Sequence, residues 1–244
     1  MIGDRGIDTY RYGDVRRLSP EAPVPVFEPS YEIVLEGMAA NVAKNLETLG
    51  CEVHFRHTQD CHKERLIDRR SKQHLIRIDQ DSTCHPLSSF SLEKELTYKD
   101  AVVISDYNKG TVTYELIEWL RKTYSGPIFV DTKKTDLARL NGCWIKINNL
   151  EKEQAKTLPD PQWLIVTQGD RGALYRDRLI PAVSVGDVTD VCGAGDTFLA
   201  ALTFEYLRSN SIEKAVTFAN RASSVTVQHV GVYAPTVEEI ENAA

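Results

Sequence analysis

Four short apolar runs set the tightest limit on the fold: AVVIS (101–105), PIFVD (127–131), WIKIN (144–148) and WLIVT (163–167). Each reads as a buried strand. TYELIEWLRKTY (113–124) is amphipathic at helical spacing, and LEKELTYKD (92–100) predicts another helix. Buried strands alternating with helices require right-handed crossovers, hence a mostly parallel α/β sheet with helices on both faces. Ligands of such sheets gather beyond the carboxyl ends of the strands. SDY, DTKK, NNLE and TQGD all stand there.

The amino-terminal part has another texture. YRYGDVRRLSPEAPVPVFEPSYEIVLEG alternates polar and apolar residues and carries four prolines, which suits a half-exposed lid sheet better than a core strand. From Met38 the pattern becomes helical through AANVAKNLETLG, with Gly50 as the stop, and CEVHF (51–55) predicts a short strand. Residues 61–82 predict two short strands around a polar turn near Arg70-Ser71-Lys72. Helices are expected over 197–207 and 211–230, with Ser211 as N-cap. The whole, 1–244, is expected to be one domain with lid segments at about 9–36 and 61–82.

Composition narrows the functional classes. A net charge of −6 argues against a general nucleic-acid binder. The basic residues between Lys63 and Arg77 alternate with acids and apolar residues, with no RNA-stacking motif. No run of about twenty apolar residues exists to span a membrane. Five scattered cysteines without a CxxC pair suit reduced thiols, and no signal peptide is visible, so a cytoplasmic location is expected. Cys61-His62 and Cys84-His85 fit no standard zinc spacing.

The chemistry concentrates in DVTDVCGAGDTFLAAL (187–202). Two glycines and an alanine let backbone N–H groups approach an anion, and the following helix turns its positive end toward the same point. Asp196 then stands beside an oxyanion cradle, where a carboxylate can take a proton from an alcohol while the cradle holds a phosphoryl group. The alternative is an aspartate capping a helix after an ordinary glycine turn.

DVCGAGDTFLAAL resembles the DxTGAGDT signature of the ribokinase-like (PfkB-type) carbohydrate kinases. GDRGIDTYRYGDVRRLSPEAPVPV followed by EGMAANVAKNLETLG is similar to the opening of that family's heptose 7-phosphate kinase branch. HLIRID (74–79) and SDYNKG (105–110) also resemble segments of the branch. The resemblance implies a ribokinase-like fold and an ATP- and Mg²⁺-dependent sugar kinase, with a monovalent cation as an optional addition. It matches Asp196 to the catalytic base and Gly193, Ala194 and Gly195 to the anion hole. KPNxxE appears as Lys146-Ile147-Asn148-Asn149-Leu150-Glu151, so Asn148 matches the amide near the phosphates and Glu151 the acid that organises magnesium, through water. Thr167 and Gly169 match TxGxxG on the nucleotide side. Lys133, in DTKK, stands where a phosphate contact is expected, and Asn220 corresponds to an amide near the adenine. Asp4 and Asp8 match acceptors of sugar hydroxyls, while Gly37 and Asn41 match the segment that lets the sugar approach the backbone. Arg17, Lys63 and Arg65 are lid cations suited to a sugar phosphate, or equally to a solvated surface. Relatives of this type commonly pair through their lids, so a homodimer is expected.

Several positions depart from the pattern. The GG of GGAANVA is Glu36-Gly37-Met38, the threonine of DxTGAGD is Cys192, and the chain is short between Glu52 and Leu75 and again after Glu151. The nucleotide half is nearly intact and the sugar half trimmed. Three outcomes are compatible: a heptose 7-phosphate kinase acting on the anomeric hydroxyl, a kinase with another sugar acceptor, or a lapsed kinase that binds nucleotide or sugar in a regulatory role. The nucleotidyltransferase domain often fused to this branch is expected to be absent.

Overall fold

A computed structural model describes residues 1–80, 83–186 and 188–243. In chain order its principal elements are β1 (Ile2–Gly3), β2 (Arg5–Leu18), β3 (Pro25–Met38), α1 (Ala39–Thr48), β4 (Asp60–Asp68), β5 (His74–Gln80), β6 (Val102–Asp106), α2 (Tyr114–Thr123), β7 (Ile128–Thr132), β8 (Trp144–Asn148), α3 (Asn149–Gln154), β9 (Leu164–Thr167), β10 (Ala173–Tyr175), β11 (Arg178–Ile180), α4 (Ala194–Ser209), α5 (Ile212–Thr226) and α6 (Val237–Asn242).

Among the described residues, seven strands form one sheet in the order β1-β6-β7-β8-β9-β10-β11. The neighbours from β1 to β9 are parallel, and β10 and β11 add an antiparallel edge. Alternate side chains of these strands enter opposite cores. Val103, Phe129 and Ile165 pack with α1, α4, α5 and α6, while Ile104, Val130 and Ile145 pack with α2. Burial on both faces explains the unbroken apolar runs in the sequence.

The lid is a second sheet, ordered β3-β2-β4-β5. β2 and β3 pair from Arg5↔Met38 to Leu18↔Pro25, so the lid reaches further toward both roots than the predicted 9–36. The turn between β4 and β5 falls at the expected place, with Lys72 at φ +61°. Residues 81 and 82 of the predicted lid segment lie outside the described residues, as does Ala244 of the predicted domain.

Two sequence expectations are corrected. CEVHF forms no strand; only Arg56 bridges Ile2 beside the short β1. LEKELTYKD forms no α-helix: Leu92 closes one 3₁₀ turn (Ser89–Ser91), Leu96 opens another (Leu96–Tyr98), and both pack into the core that holds α2. Only Leu92 and Leu96 are buried in this segment, too little packing to hold so short a helix, which is marginal by itself. The expected N-cap is present, with Ser211 Oγ accepting from Lys214 N at 3.5 Å at the start of α5, and Thr113 likewise caps α2, accepting from Leu116 N at 3.1 Å.

Candidate active site

The glycine turn leads into α4. Gly193 takes φ +77° as the residue before the helix, a conformation that disfavours any side chain. A Cβ at Gly193 would lie 2.9 Å from Asn41 Nδ2, and one at Gly195 would lie 2.9 Å from Lys146 Nζ. The missing side chains therefore admit an amide from α1 and an ammonium from β8 to the turn.

Asp196 occupies the first turn of α4 and is buried. Its Oδ2 accepts from Asn41 Nδ2 at 2.9 Å and its Oδ1 from the Tyr107 hydroxyl at 3.0 Å. Burial pushes its carboxyl up to about 6. Asp131 adds to that rise, while Asn41, Lys146 and Tyr107 oppose it. Lys146 is itself buried and pairs with Asp131 Oδ2 at 2.6 Å. Burial alone would lower its ammonium, but Asp131 first, then Glu151 and Asp196, outweigh it and hold the charge. A carboxyl poised near neutrality, beside a fixed cation and a helix amino terminus, suits proton removal from an alcohol while a transferring phosphoryl is held.

The nucleotide-side residues converge on adjacent strand ends. Asn148 closes β8 and starts α3 with a capping box: its Oδ1 accepts from Glu151 N at 2.8 Å, and Glu151 Oε2 accepts from Asn148 N at 2.8 Å. Glu151 Oε1 also accepts from Lys133 Nζ, just past β7. Thr167 lies directly across from Asn148 in register, and Gly169 follows at φ +63°. Asn220 is placed differently. It is buried on α5, and its amide donates to the carbonyls of Ile180 and Pro181 at 3.0 and 3.1 Å, tying down the end of β11.

On the acceptor side, Asp8, Lys63 and Arg65 share one lid face. Asp8 pairs with Lys63 in register, and Tyr10 with Arg65. Arg65 Nη1 donates to Asp8 Oδ1 at 2.5 Å, and its guanidinium lies 4.8 Å from the centre of the Tyr10 ring. The charges of Asp8 and Arg65 both act on Cys192, so this face lies near the glycine turn. A Cβ at Gly37 would strike the Asp8 carboxylate, which places Gly37 on the same face. Met38, at φ +55° immediately before α1, occupies a backbone conformation that a glycine would hold without strain.

Two predicted acceptor residues are not presented there. Asp4 is fully buried and holds the segment after β6, its carboxylate accepting from the backbone N–H groups of Tyr107, Lys109 and Thr111 at 2.9, 3.1 and 3.3 Å. It organises a loop instead of facing a sugar. Arg17 is exposed near the far end of β2, about 30 Å along the strand from Asp8 at ordinary strand rise. Conversely, Tyr107, Asp131 and Lys146 were assigned no role from sequence. All three stand at strand ends within SDYNKG, DTKK and the KPNxxE-like segment, and that position was the available signal.

A buried carboxylate at the mouth of a glycine-turn helix, on a mostly parallel sheet covered by a β lid, defines the class of fold and site: ribokinase-like. Residues 119–239 match the model of the pfkB family carbohydrate kinases. The bifunctional protein HldE of a Nitratiruptor species is 32% identical over 298 residues, covering 99% of this chain and 63% of that protein. HldE of Actinobacillus pleuropneumoniae is 30% identical over 300 residues, covering 100% and 62%. This chain therefore spans less than two thirds of the length of those relatives. The alignments also outrun its 244 residues, so it lacks internal segments that they have. Among solved structures, Arabidopsis thaliana ribokinase complexed with ribose and ATP matches with a TM-score of 0.74 at 16% identity, covering 99% of this chain and 96% of that one. Phosphofructokinase-2 from Escherichia coli in complex with potassium matches with a TM-score of 0.72 at 15% identity, covering 100% and 97%. The chain is thus similar to the pfkB family of carbohydrate kinases over residues 119–239 and to HldE along its whole length, on a ribokinase-like fold.

Proposed function

We propose that this protein transfers the γ-phosphoryl group of ATP to a sugar hydroxyl, the anomeric hydroxyl of heptose 7-phosphate or of a similar sugar phosphate. The observation that carries this is the buried Asp196 at the start of α4, with Lys146 against Gly195. The acceptor hydroxyl would enter between the Asp8/Arg65 face of the lid and the glycine turn. Asp196 removes its proton as the oxygen attacks the γ-phosphorus. Lys146 and the amino terminus of α4 stabilise the charge on the phosphoryl oxygens, and the bond to the β-phosphate oxygen breaks to release ADP. The narrower choice of a heptose 7-phosphate rests on the likeness to HldE and on the branch-specific motifs SPEAPVPV, HLIRID and SDYNKG.

Magnesium, when bound, neutralises charge on the nucleotide phosphates. The residues fit it through water: Glu151 stands at the correct strand end, with one oxygen on the Asn148 N–H and the other on Lys133. A nucleotide phosphate would offer Lys133 an alternative partner there. The likeness to an enzyme solved with potassium supports testing a monovalent cation as well.

A different sugar acceptor is the second reading, favoured by Met38 in place of a glycine and by the Asp8–Arg65 pair across the acceptor face. Coupled ADP detection with ATP, Mg²⁺ and a panel containing heptose 7-phosphate distinguishes the two. Asp196→Asn is expected to retain ATP binding by calorimetry and to lose most phosphorylation, and wild-type turnover is expected to fall as pH drops through about 6, as Asp196 is protonated. Normal turnover by that variant would remove Asp196 from the chemistry. ATP binding without ADP release from any sugar would instead mark a lapsed kinase.

A further inference from the structure

Tyr107, within SDYNKG, has no part in the reaction steps proposed above, yet it touches the proposed base. It follows β6, and its backbone N–H donates to Asp4 Oδ2 at 2.9 Å. Its ring packs against Met38, Cys61 and Cys84 at the root of the lid, and Lys133 Nζ lies 5.6 Å from the ring centre. Its hydroxyl donates to Asp196 Oδ1 at 3.0 Å, while Asn41 holds Oδ2 from the opposite element.

A carboxylate with one oxygen tethered can still swing about its terminal torsion, a broad and soft one. With each oxygen held by a donor from a different element, that swing stops. The lone pairs left over point in fixed directions, and an incoming hydroxyl meets the base in one orientation. We propose that Tyr107 is a positioning residue for phosphoryl transfer: it fixes the Asp196 carboxylate through Oδ1 and ties the base to the root of the lid. This rests on Asp196 acting as the base.

The phenol is suited to donate and unsuited to replace Asp196. Burial, and then the Asp196 and Asp131 carboxylates, push its ionisation well above the ordinary tyrosine value, so it keeps its proton. The charged or titratable groups facing Asp196 are Asp131 on β7, Lys146 on β8, Cys192 in the glycine turn and Tyr107 itself. Asn41, Lys146 and Tyr107 favour the ionised carboxylate, whereas burial and Asp131 favour the neutral acid. Removing the Tyr107 hydroxyl therefore shifts Asp196 toward the neutral form.

Tyr107→Phe keeps the ring and removes only the donor. In protein labelled with ¹³C at aspartate carboxyls, the Asp196 resonance is identified by its loss in Asp196→Asn and titrated without substrate. The wild-type midpoint is expected near 6, and that of Tyr107→Phe higher by about half a unit to one unit. With ATP and heptose 7-phosphate, kcat is expected to fall by about tenfold and KM for ATP to hold. An unchanged midpoint overturns the proposal, whether or not the enzyme turns over. Should Tyr107→Phe fail to fold, 3-fluorotyrosine introduced at 107 keeps the hydroxyl as a stronger donor. It is then expected to move the midpoint down, and a midpoint that stays put overturns the proposal equally. Turnover by Asp196→Asn would defeat the base assignment by itself and leave the titration result standing.

Discussion

At the scale of single residues, the site is a set of charges arranged around one small turn. Lys146 and Asp131 form a buried pair whose ammonium reaches the place a side chain at Gly195 would fill. Deleting either partner alone would leave a buried charge uncompensated, which costs several kcal/mol and confounds a kinetic test. The double variant Lys146→Met with Asp131→Asn removes both charges together. It is expected to fold and to bind ATP, with kcat about 100-fold lower, the scale seen when one preorganised charge stabiliser is lost from a transition state. Single-turnover phosphorylation with saturating ATP measures that loss, and an undiminished rate would make the pair purely structural.

At the scale of elements, the strand ends bring the candidate site residues together because the parallel sheet aligns those ends at one edge. β6 delivers Tyr107, β7 Lys133, β8 Lys146 and Asn148, β9 Thr167. The apolar runs and their polar tails made that edge legible in the sequence, as did the glycine turn before α4. Pairings across the chain were not legible. Asp4 and Asp8 look equivalent as acids four residues apart, yet Asp4 points into the loop after β6 and Asp8 toward the lid face. What separates them is the break between β1 and β2, where Asp4 stands at the junction of the two sheets while Asp8 lies within the lid strand. CEVHF failed as a strand because β1 at that edge is two residues long and offers little ladder to extend. The lid gives its own prediction: Asp8→Asn weakens the hold on Arg65 and removes a charged acceptor from the face near the glycine turn. KM for the sugar is expected to rise by about tenfold or more, with KM for ATP unchanged, in initial-rate kinetics. A sugar KM that does not move would place the acceptor elsewhere.

At the scale of the whole molecule, the lid is a thin sheet whose outer strands among the described residues are β3 and β5. Val34 is 56% exposed and Ile76 52%, and Tyr31, Ile33, Leu35 and Ile78 are also exposed. Open edges carrying apolar side chains bind another strand or sheet unless charge or proline blocks them. Pro25 and Pro29 blunt only the distal half of β3, and the apolar stretch from Tyr31 to Leu35 lies beyond them, nearer the active site. We infer that a second copy of the chain covers this stretch, because the same surface on both copies can satisfy itself by a two-fold axis. Sedimentation equilibrium at micromolar concentration is then expected to give twice the 27.5 kDa chain mass. Ile33→Lys with Val34→Glu is expected to give monomer, since burying those charges across a sheet contact is unfavourable. A wild-type protein that sediments as monomer would mean that the lid edge meets solvent or a different partner.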